Sequence, residues 1–247
     1  MTPTLSTPAL VLHTTEYSET SVIAKVFTRQ LGVRSYILKG VRKGGGRTKR
    51  NLLQPLSYLD MVVYVNPKTT LNYVKELAPH TPTFTHSDTQ AINNAVVFFM
   101  TELLYKTLRE EEPDQELFDY IVGALEQLRQ PLPAMHAQMP LLFLLRLTRY
   151  LGLWPRDNYS LREPLFDLQE GCYKSVGETT IDPATSLLLH EYLQVSALPN
   201  LEANSRYPQT TLAQRTALMN RLIEYLQLHF DGFRSFHSHE ILHTILN

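Results

Sequence analysis

A glycine-rich basic segment, Lys39–Arg50, limits what the first part of this chain can become. Half of its twelve residues are cationic, four are glycines and none is acidic. Such a segment cannot form core, because buried charges are costly and glycine adds no apolar surface. Runs rich in β-forming residues flank it at Ser21–Lys39 and Leu52–Val65. The sequence therefore predicts a basic loop that a sheet holds at both ends.

The charges of the chain are divided between its two parts. The formal net charge is −1, but residues 1–80 contain eleven Lys and Arg against four Asp and Glu, a balance of +7. The rest of the chain contains twelve against twenty, a balance of −8. A basic module joined to an acidic body is typical of proteins that bind a polyanion such as nucleic acid, although surface charges also segregate without a function.

Cysteine content and hydropathy indicate the compartment. Cys172 is the only cysteine, which excludes an internal disulfide and favours a reducing environment. The N-terminus lacks the charged and apolar regions of a signal peptide. The longest apolar run, near Leu141–Leu145, is much shorter than a membrane span. We therefore expect a soluble cytoplasmic protein with no membrane partner.

Residues 1–80 have the pattern of a small all-β domain. Five strands are predicted between turn residues: Ala9–His13, Ser21–Thr28, Gly32–Lys39, Leu56–Val65 and Leu71–Ala78. Five strands in about seventy residues favour a closed OB-type barrel, a fold that often binds single-stranded nucleic acid. The sequence leaves two roles open for its tyrosines, base stacking or half-buried packing: Tyr17, Tyr36, Tyr58, Tyr64 and Tyr73.

Residues 81–247 change to the helical spacing of apolar residues. The third predicted helix, which ends near Leu151, is apolar on nearly every side, as the central helix of a bundle would be. An irregular insert of about residues 152–182 follows it, with Pro155, Pro164, Gly171 and Gly177. The predicted fold class is thus α+β, with an N-terminal five-stranded OB-type β-barrel followed by an α-helical bundle domain.

The C-terminal segment contains one pattern that occurs in zinc proteases. His239, Glu240 and His243 match H-E-x-x-H, in which two histidines on one helical face bind zinc and the glutamate activates water. Only four residues follow His243, which leaves no room for a downstream third ligand. The sequence contains no Walker A, GxSxG or GxGxxG motif. We predict no enzyme; a metalloprotease and metal binding by His237, His239 and His243 remain as lesser alternatives.

The order of short pieces in the first eighty residues resembles that of a known family. Tyr17–Ser21 (YSETS) is followed by VIAKVFT, a turn at Gly32, the strand YILKGVRK and then LLQPLSYL. This order is similar to the start of the RecO family of bacterial recombination mediators. The resemblance implies an OB-fold domain at 1–80, a helical domain at 81–247, and a non-enzymatic protein without a cofactor that binds single- and double-stranded DNA and anneals complementary strands.

The resemblance also implies partners. These are RecR and the C-terminal tail of single-strand binding protein, with which the protein would help to load RecA. An RNA-binding or transcriptional OB-fold protein is the alternative from the residues alone. The expected DNA contacts are the cations in and around the basic segment: Arg34, Lys39, Arg42, Lys43, Arg47, Lys49 and Arg50.

The third predicted helix is a candidate receptor for that tail. The tail is acidic and ends in a hydrophobic residue with a free carboxylate, so its receptor should pair an apolar pocket with arginine. One stretch of the helix has this composition: Leu142, Leu145, Arg146, Arg149 and Tyr150. The alternative is that its arginines pair with neighbouring acidic residues.

The irregular insert corresponds to a segment where many RecO proteins carry a four-cysteine zinc site. The segment FDLQEGCYKSVGE contains only Cys172 and no CxxC pair. One thiol cannot form a tetrahedral zinc site, so we expect no metal ligands here. Inward packing of Phe166, Leu168 and Tyr173 is expected to hold this zinc-finger-like loop instead.

Overall fold

The computed structural model divides the chain into two compact units. The first comprises Met1–Ser87 with Leu104–Arg129, and the second comprises Asp88–Leu103 with Gln130–Asn247. The residues that the structure describes are 3–41, 51–65, 69, 71–80, 90–108, 113–130, 133–197, 207–231, 233, 236–239 and 242. The predicted domain limits, 1–80 and 81–247, remain a prediction, because each of the two compact units combines two separate stretches of the sequence.

Five strands of the first unit close into a barrel, as predicted. They are β1 (Thr4–Glu16), β2 (Val22–Thr28), β3 (Gly32–Leu38), β4 (Tyr58–Tyr64) and β5 (Leu71–Pro79). The strand order is β1-β2-β3-β5-β4, and β4 pairs with β1 to close the barrel. All pairs are antiparallel except β3 with β5, which are parallel. This is the five-stranded OB arrangement, and helices follow it, so the predicted α+β class is confirmed.

β1 is longer than predicted because it belongs to two neighbouring strand pairs. Thr4–Leu10 pairs with β4, and Ala9–Glu16 pairs with β2. The register shifts between Val11 and His13, and such a bulge lets one strand bend from the first partner to the second. The sequence pattern predicted only the central, apolar part, since most residues near the two ends of β1 are exposed.

Alternate side chains of the strands fill the barrel. The buried cluster contains these strand residues: Ala9, Val11, Val22, Ala24, Val26, Tyr36, Leu38, Leu59, Met61 and Val63. Val41 and Leu53 join the same cluster from outside the strands. Val41 is the third residue of the basic segment and Leu53 follows three residues after its end, so hydrophobic burial fixes the chain to the barrel near both ends of the segment.

A helix covers part of the outer surface of the barrel. This helix, α2 (Gln115–Leu128), begins after Asp114, whose carboxylate accepts a hydrogen bond from a backbone N–H of the first turn. The Phe118 ring is completely buried, with its centroid 5.5 Å from that of Phe27 on β2 and 6.1 Å from that of Tyr58 on β4. The helix therefore belongs to the barrel unit through an aromatic contact.

An ion pair lies beside this aromatic contact. Arg29 donates two hydrogen bonds to the two carboxylate oxygens of Asp119, at 2.8 and 2.9 Å. The hydrogen bond to Arg29 holds the pKa of the Asp119 carboxyl below its usual value. Because the pair is exposed, it contributes less to stability than the buried ring of Phe118 does.

The second unit is built around one buried helix. Besides α1 (Gln90–Thr107), which extends from the second unit into the first, its helices are α3 (Pro133–Tyr150), α4 (Pro183–Ser196) and α5 (Leu212–His229). α3 packs against α4 and α5, and Leu141–Leu145 is fully buried, as predicted for a central helix. In the part of the chain that the structure describes, no helix combines the length and apolarity needed to cross a bilayer.

The irregular insert between α3 and α4 forms a small hairpin. Its strands are β6 (Leu165–Asp167) and β7 (Cys172–Lys174), which pair antiparallel. The predicted inward packing is confirmed, since Phe166, Leu168 and Tyr173 are each no more than 4% exposed. The chain then enters α4 through Asp182, which caps that helix.

We expect Phe118→Ala to loosen the barrel far more than Asp119→Ala does. Removing a buried phenylalanine costs about 3–5 kcal/mol, because apolar contacts are lost and a cavity remains. Hydrogen exchange of the β2 and β4 amides measures the effect locally. Equal loss of protection in the two variants would contradict the view that the aromatic contact holds α2 on the barrel.

Candidate nucleic-acid interface

The two flanks of the basic segment are held by the barrel. The Val41 N–H donates a hydrogen bond to the Thr20 carbonyl at 3.0 Å, and the Val41 side chain is 1% exposed. Leu53, on the other flank, is also buried. Five predicted DNA contacts within the segment lie outside the described residues: Arg42, Lys43, Arg47, Lys49 and Arg50. The chain is thus fixed to the OB barrel at Val41, near the start of the segment, and at Leu53, after its end.

Lys39 is paired with an exposed aromatic ring. Its ammonium lies 4.7 Å from the ring centroid of Tyr73 on β5. The parallel pairing of β3 with β5 brings them together, because Ile37 is opposite Tyr73 and Lys39 follows two residues later. Gly40 continues the chain with φ +71°, a conformation that L side chains rarely adopt. Lys39 therefore lies directly after β3, where the basic segment begins.

A second cation–aromatic group lies on neighbouring strands. His13 of β1 is opposite Lys25 of β2, and Lys25 is opposite Ser35 of β3. The Lys25 ammonium is 5.2 Å from the ring centroid of Tyr105 at the end of α1, and the His13 ring is 4.9 Å from it. These side chains face outward, since the alternate residues of β2 face the core.

We name the five outward residues of these two groups the cation–aromatic face: His13, Lys25, Lys39, Tyr73 and Tyr105. His13, Lys25 and Tyr73 of this face lie on β1, β2 and β5, Lys39 follows directly after β3, and Tyr105 lies on α1. Sequence reasoning missed Lys25, His13 and Tyr105. A lysine between inward-facing apolar residues of SVIAKVFT did indicate an outward position for Lys25, but Tyr105 is eighty residues away along the chain.

Arg34 does not belong to this face. It lies on the same side of β3 as Tyr36 and Leu38, which face the barrel core. Its Nε donates a hydrogen bond to the Leu31 carbonyl at 3.1 Å. The structure therefore separates Arg34 from Lys39, and a DNA contact by Arg34 stays a prediction.

The five tyrosines of the N-terminal region differ in exposure. Tyr36 is 1% exposed, and burial raises the pKa of its hydroxyl, so its ring is core. Tyr58 packs against His80 and Phe118, while Tyr64 is half-buried. Tyr17 and Tyr73 are 58% and 44% exposed. Of the two exposed rings, Tyr73 has the cationic neighbour.

The predicted tail-binding residues of α3 have different surroundings. Leu142 and Leu145 are fully buried in the helical core. Arg146 is half-buried and its Nε donates a hydrogen bond to the Ser196 carbonyl at 3.2 Å. Arg149 and Tyr150 are exposed. The accessible part of this group is therefore cationic and aromatic, and its leucines pack inward.

A pocket in the same unit combines arginine with apolar walls. Its walls include Pro140 and Leu141 of α3, Leu212 and Met219 of α5, and Leu242. Arg215 of α5 lines it as well, and donates from Nη1 to the carbonyl and hydroxyl oxygens of Thr210 at 2.9 and 3.2 Å. The Nε of Arg215 is buried without an acceptor among the described residues.

Of the H-E-x-x-H motif, His239 lies within the described residues. His239 is half-buried and stacks on Phe236, with centroids 5.6 Å apart, whereas Glu240 and His243 lie outside the described residues. The N–H groups of His237 and Ser238 donate to the Glu102 carboxylate. Among the residues that were described, no three His, Cys, Asp or Glu side chains converge to hold a metal.

Comparisons with known proteins agree with the fold. The family model described as Recombination protein O N terminal matches residues 1–82, and Recombination protein O C terminal matches residues 89–229. The chain is 32% identical to a DNA repair protein RecO of Christiangramia forsetii, covering 98% of both chains. It is 30% identical to that of Flavobacterium psychrophilum and 28% to that of Flavobacterium johnsoniae, covering 98% of this chain and 99% of each relative.

Proposed function

The chain belongs to the RecO family of DNA repair proteins, and from that premise we propose that it binds single- and double-stranded DNA and anneals complementary strands. The observation that carries the proposal is the cation–aromatic face, which adjoins the fixed flank of the basic segment at Lys39. Cations attract phosphates irrespective of sequence, and exposed rings stack on unpaired bases. The barrel offers both kinds of contact on one surface.

The annealing step needs no bond to be made or broken by the protein. Two DNA strands repel each other through their phosphates, and a cationic surface that binds both lowers this repulsion. Bases that stack weakly on tyrosine stay unpaired and are available to a complementary strand. The mechanism is therefore electrostatic and non-enzymatic, and it uses no cofactor.

We further propose that the protein acts in the cytoplasm with RecR and single-strand binding protein to help load RecA. Family membership supports this proposal. A second support is the pocket of the helical unit in which Arg215 lies next to apolar residues. An acidic tail that ends in an apolar residue requires such a receptor. The Arg215 pocket meets both requirements, and the exposed Arg149 meets the requirement for a cation.

An annealing assay on DNA coated with single-strand binding protein tests the function as a whole. A recombination mediator anneals the coated strands, whereas an RNA-binding or transcriptional OB-fold protein does not. Running the same strands without the coating protein separates weak DNA binding from failure to act on the coated substrate.

The cations of the basic segment are expected to contact phosphates. Replacing Arg42, Lys43, Arg47, Lys49 and Arg50 with alanine should weaken DNA binding for every sequence. If each residue contacts one phosphate, the log–log salt slope on single strands should fall by about 3.5 in total. Arg221→Ala, which removes an exposed arginine paired with Glu224 on α5, is the control. An unchanged slope in the five-fold variant would exclude the segment as the phosphate contact.

The exposed ring of Tyr73 is expected to stack on unpaired bases. Tyr73→Ala should weaken single-strand binding by roughly 5- to 150-fold, since base stacking contributes about 1–3 kcal/mol. Tyr73→Phe should keep the affinity, because it keeps the ring. Fluorescence anisotropy with a labelled oligonucleotide measures both. If the alanine and phenylalanine variants bind equally well, Tyr73 does not stack on bases.

The Arg215 pocket is the proposed receptor for the tail of single-strand binding protein. Arg215→Ala should reduce binding of a labelled tail peptide at least tenfold while bare-DNA annealing continues, because the free carboxylate loses its guanidinium partner. The Arg146→Ala, Arg149→Ala double variant tests the predicted α3 group in the same way. A peptide with an amidated C-terminus is the control for carboxylate recognition. Wild-type binding by both variants would put the receptor elsewhere on the protein.

A further inference from the structure

The irregular insert lacks the donor set of the zinc site that the family resemblance implies. Cys172 is its only thiol, and its side chain is half-buried on β7. A zinc site brings electron-pair donors together around a cation. The groups that converge within this insert are hydrogen-bond donors instead: N–H, O–H and ammonium groups surround one carboxylate. N–H and ammonium groups have no lone pair for a cation, and a hydroxyl is not among the ligands of structural zinc sites. The residues therefore do not fit a structural zinc.

The carboxylate is that of Asp167 at the end of β6, whose side chain is 4% exposed. Its Oδ1 accepts hydrogen bonds from the N–H groups of Gln169 and Glu170, both at 3.0 Å, and from the Thr179 hydroxyl at 2.8 Å. Its Oδ2 lies 3.3 Å from the ammonium of Lys174 on β7. Although burial opposes ionisation, these partners outweigh it, and the pKa of Asp167 is lowered.

The backbone of Asp167 is joined to both neighbouring segments. It lies opposite Cys172 in the hairpin and forms a bridge with Thr180 on its other side. Its carbonyl accepts a hydrogen bond from the Gly171 N–H at 2.9 Å. One residue thus connects β6, the hairpin turn, β7 and the segment that leads to α4.

A glycine allows this close assembly. A Cβ added at Gly177 would lie 2.7 Å from Asp167 Oδ2 and 3.0 Å from the Thr180 methyl carbon. Contacts under 3.0 Å require a shift of one partner, and this carboxylate is fixed by four donors. Position 177 therefore requires glycine because the Asp167 carboxylate leaves no space for a Cβ, and not because of the backbone angles of Gly177.

We propose that the Asp167 carboxylate, neutralised by Lys174, is the organising centre of the insert in place of a metal ion. A zinc ion would hold chain segments together by attracting thiolates; here the charges are reversed, with a central anion that attracts donors from the surrounding segments. Lys174 provides the compensating charge that a buried carboxylate requires. The insert of this chain folds without zinc.

Substitutions at the centre test the proposal in the full chain. Asp167→Ala and Lys174→Met should each lower the thermal midpoint by about 5 °C or more. The first leaves the N–H groups of Gln169 and Glu170 and the Thr179 hydroxyl without their acceptor, and the second leaves a buried carboxylate without its compensating charge. Glu170→Gln is the matched control: its carboxylate is 3.8 Å from the same Lys174 but is largely exposed, so the midpoint should not change. Trp154, the only tryptophan, lies within the insert and reports its unfolding by fluorescence.

A double-variant cycle distinguishes an organising centre from general destabilisation. Gly177→Ala should lower the midpoint in the wild-type background but much less in the Asp167→Ala background, where the blocking oxygen is gone. Chelator should leave the wild-type midpoint unchanged, and elemental analysis should find no stoichiometric zinc. Additive effects of the two substitutions, or one zinc per chain whose removal unfolds the insert, would overturn the proposal.

Discussion

The parallel pairing of β3 with β5 is the contact on which the candidate DNA-binding surface depends. It completes the barrel between strands that are far apart in sequence, and it brings Lys39 next to Tyr73. The same closed barrel buries Val41, near the start of the basic segment, and Leu53, three residues after its end. The chain is therefore attached to the barrel near both ends of the segment, and Lys39, its first residue, lies beside an aromatic ring of another strand.

Much of this architecture follows from local patterns in the sequence. Runs of β-forming residues between turn residues predicted the five strands, and the apolar run Leu141–Leu145 predicted the central helix. Pairings between distant residues could not be predicted, as the contact of Lys25 with Tyr105 illustrates. Helical periodicity indicates that α2 has a buried face, but it does not indicate that Phe118 packs against β2 and β4.

Asp167 is another residue whose environment the sequence conceals. In the segment FDLQEG it resembles an ordinary surface acid, because its donors are mostly backbone N–H groups and a threonine twelve residues away. The single cysteine predicts that this insert lacks the four thiolates of a zinc site. It could not indicate what replaces them, since a buried carboxylate is recognisable only after its surroundings have folded.

The aromatic contact of α2 also bears on how such proteins exchange parts during evolution. The N-terminal family model ends at residue 82, whereas α2 lies within the span of the C-terminal model. A gene fusion made at that junction would give the barrel a foreign helix against Phe27 and Tyr58. Modules defined by sequence similarity would then be incompatible unless the residues on both sides of this contact were inherited together.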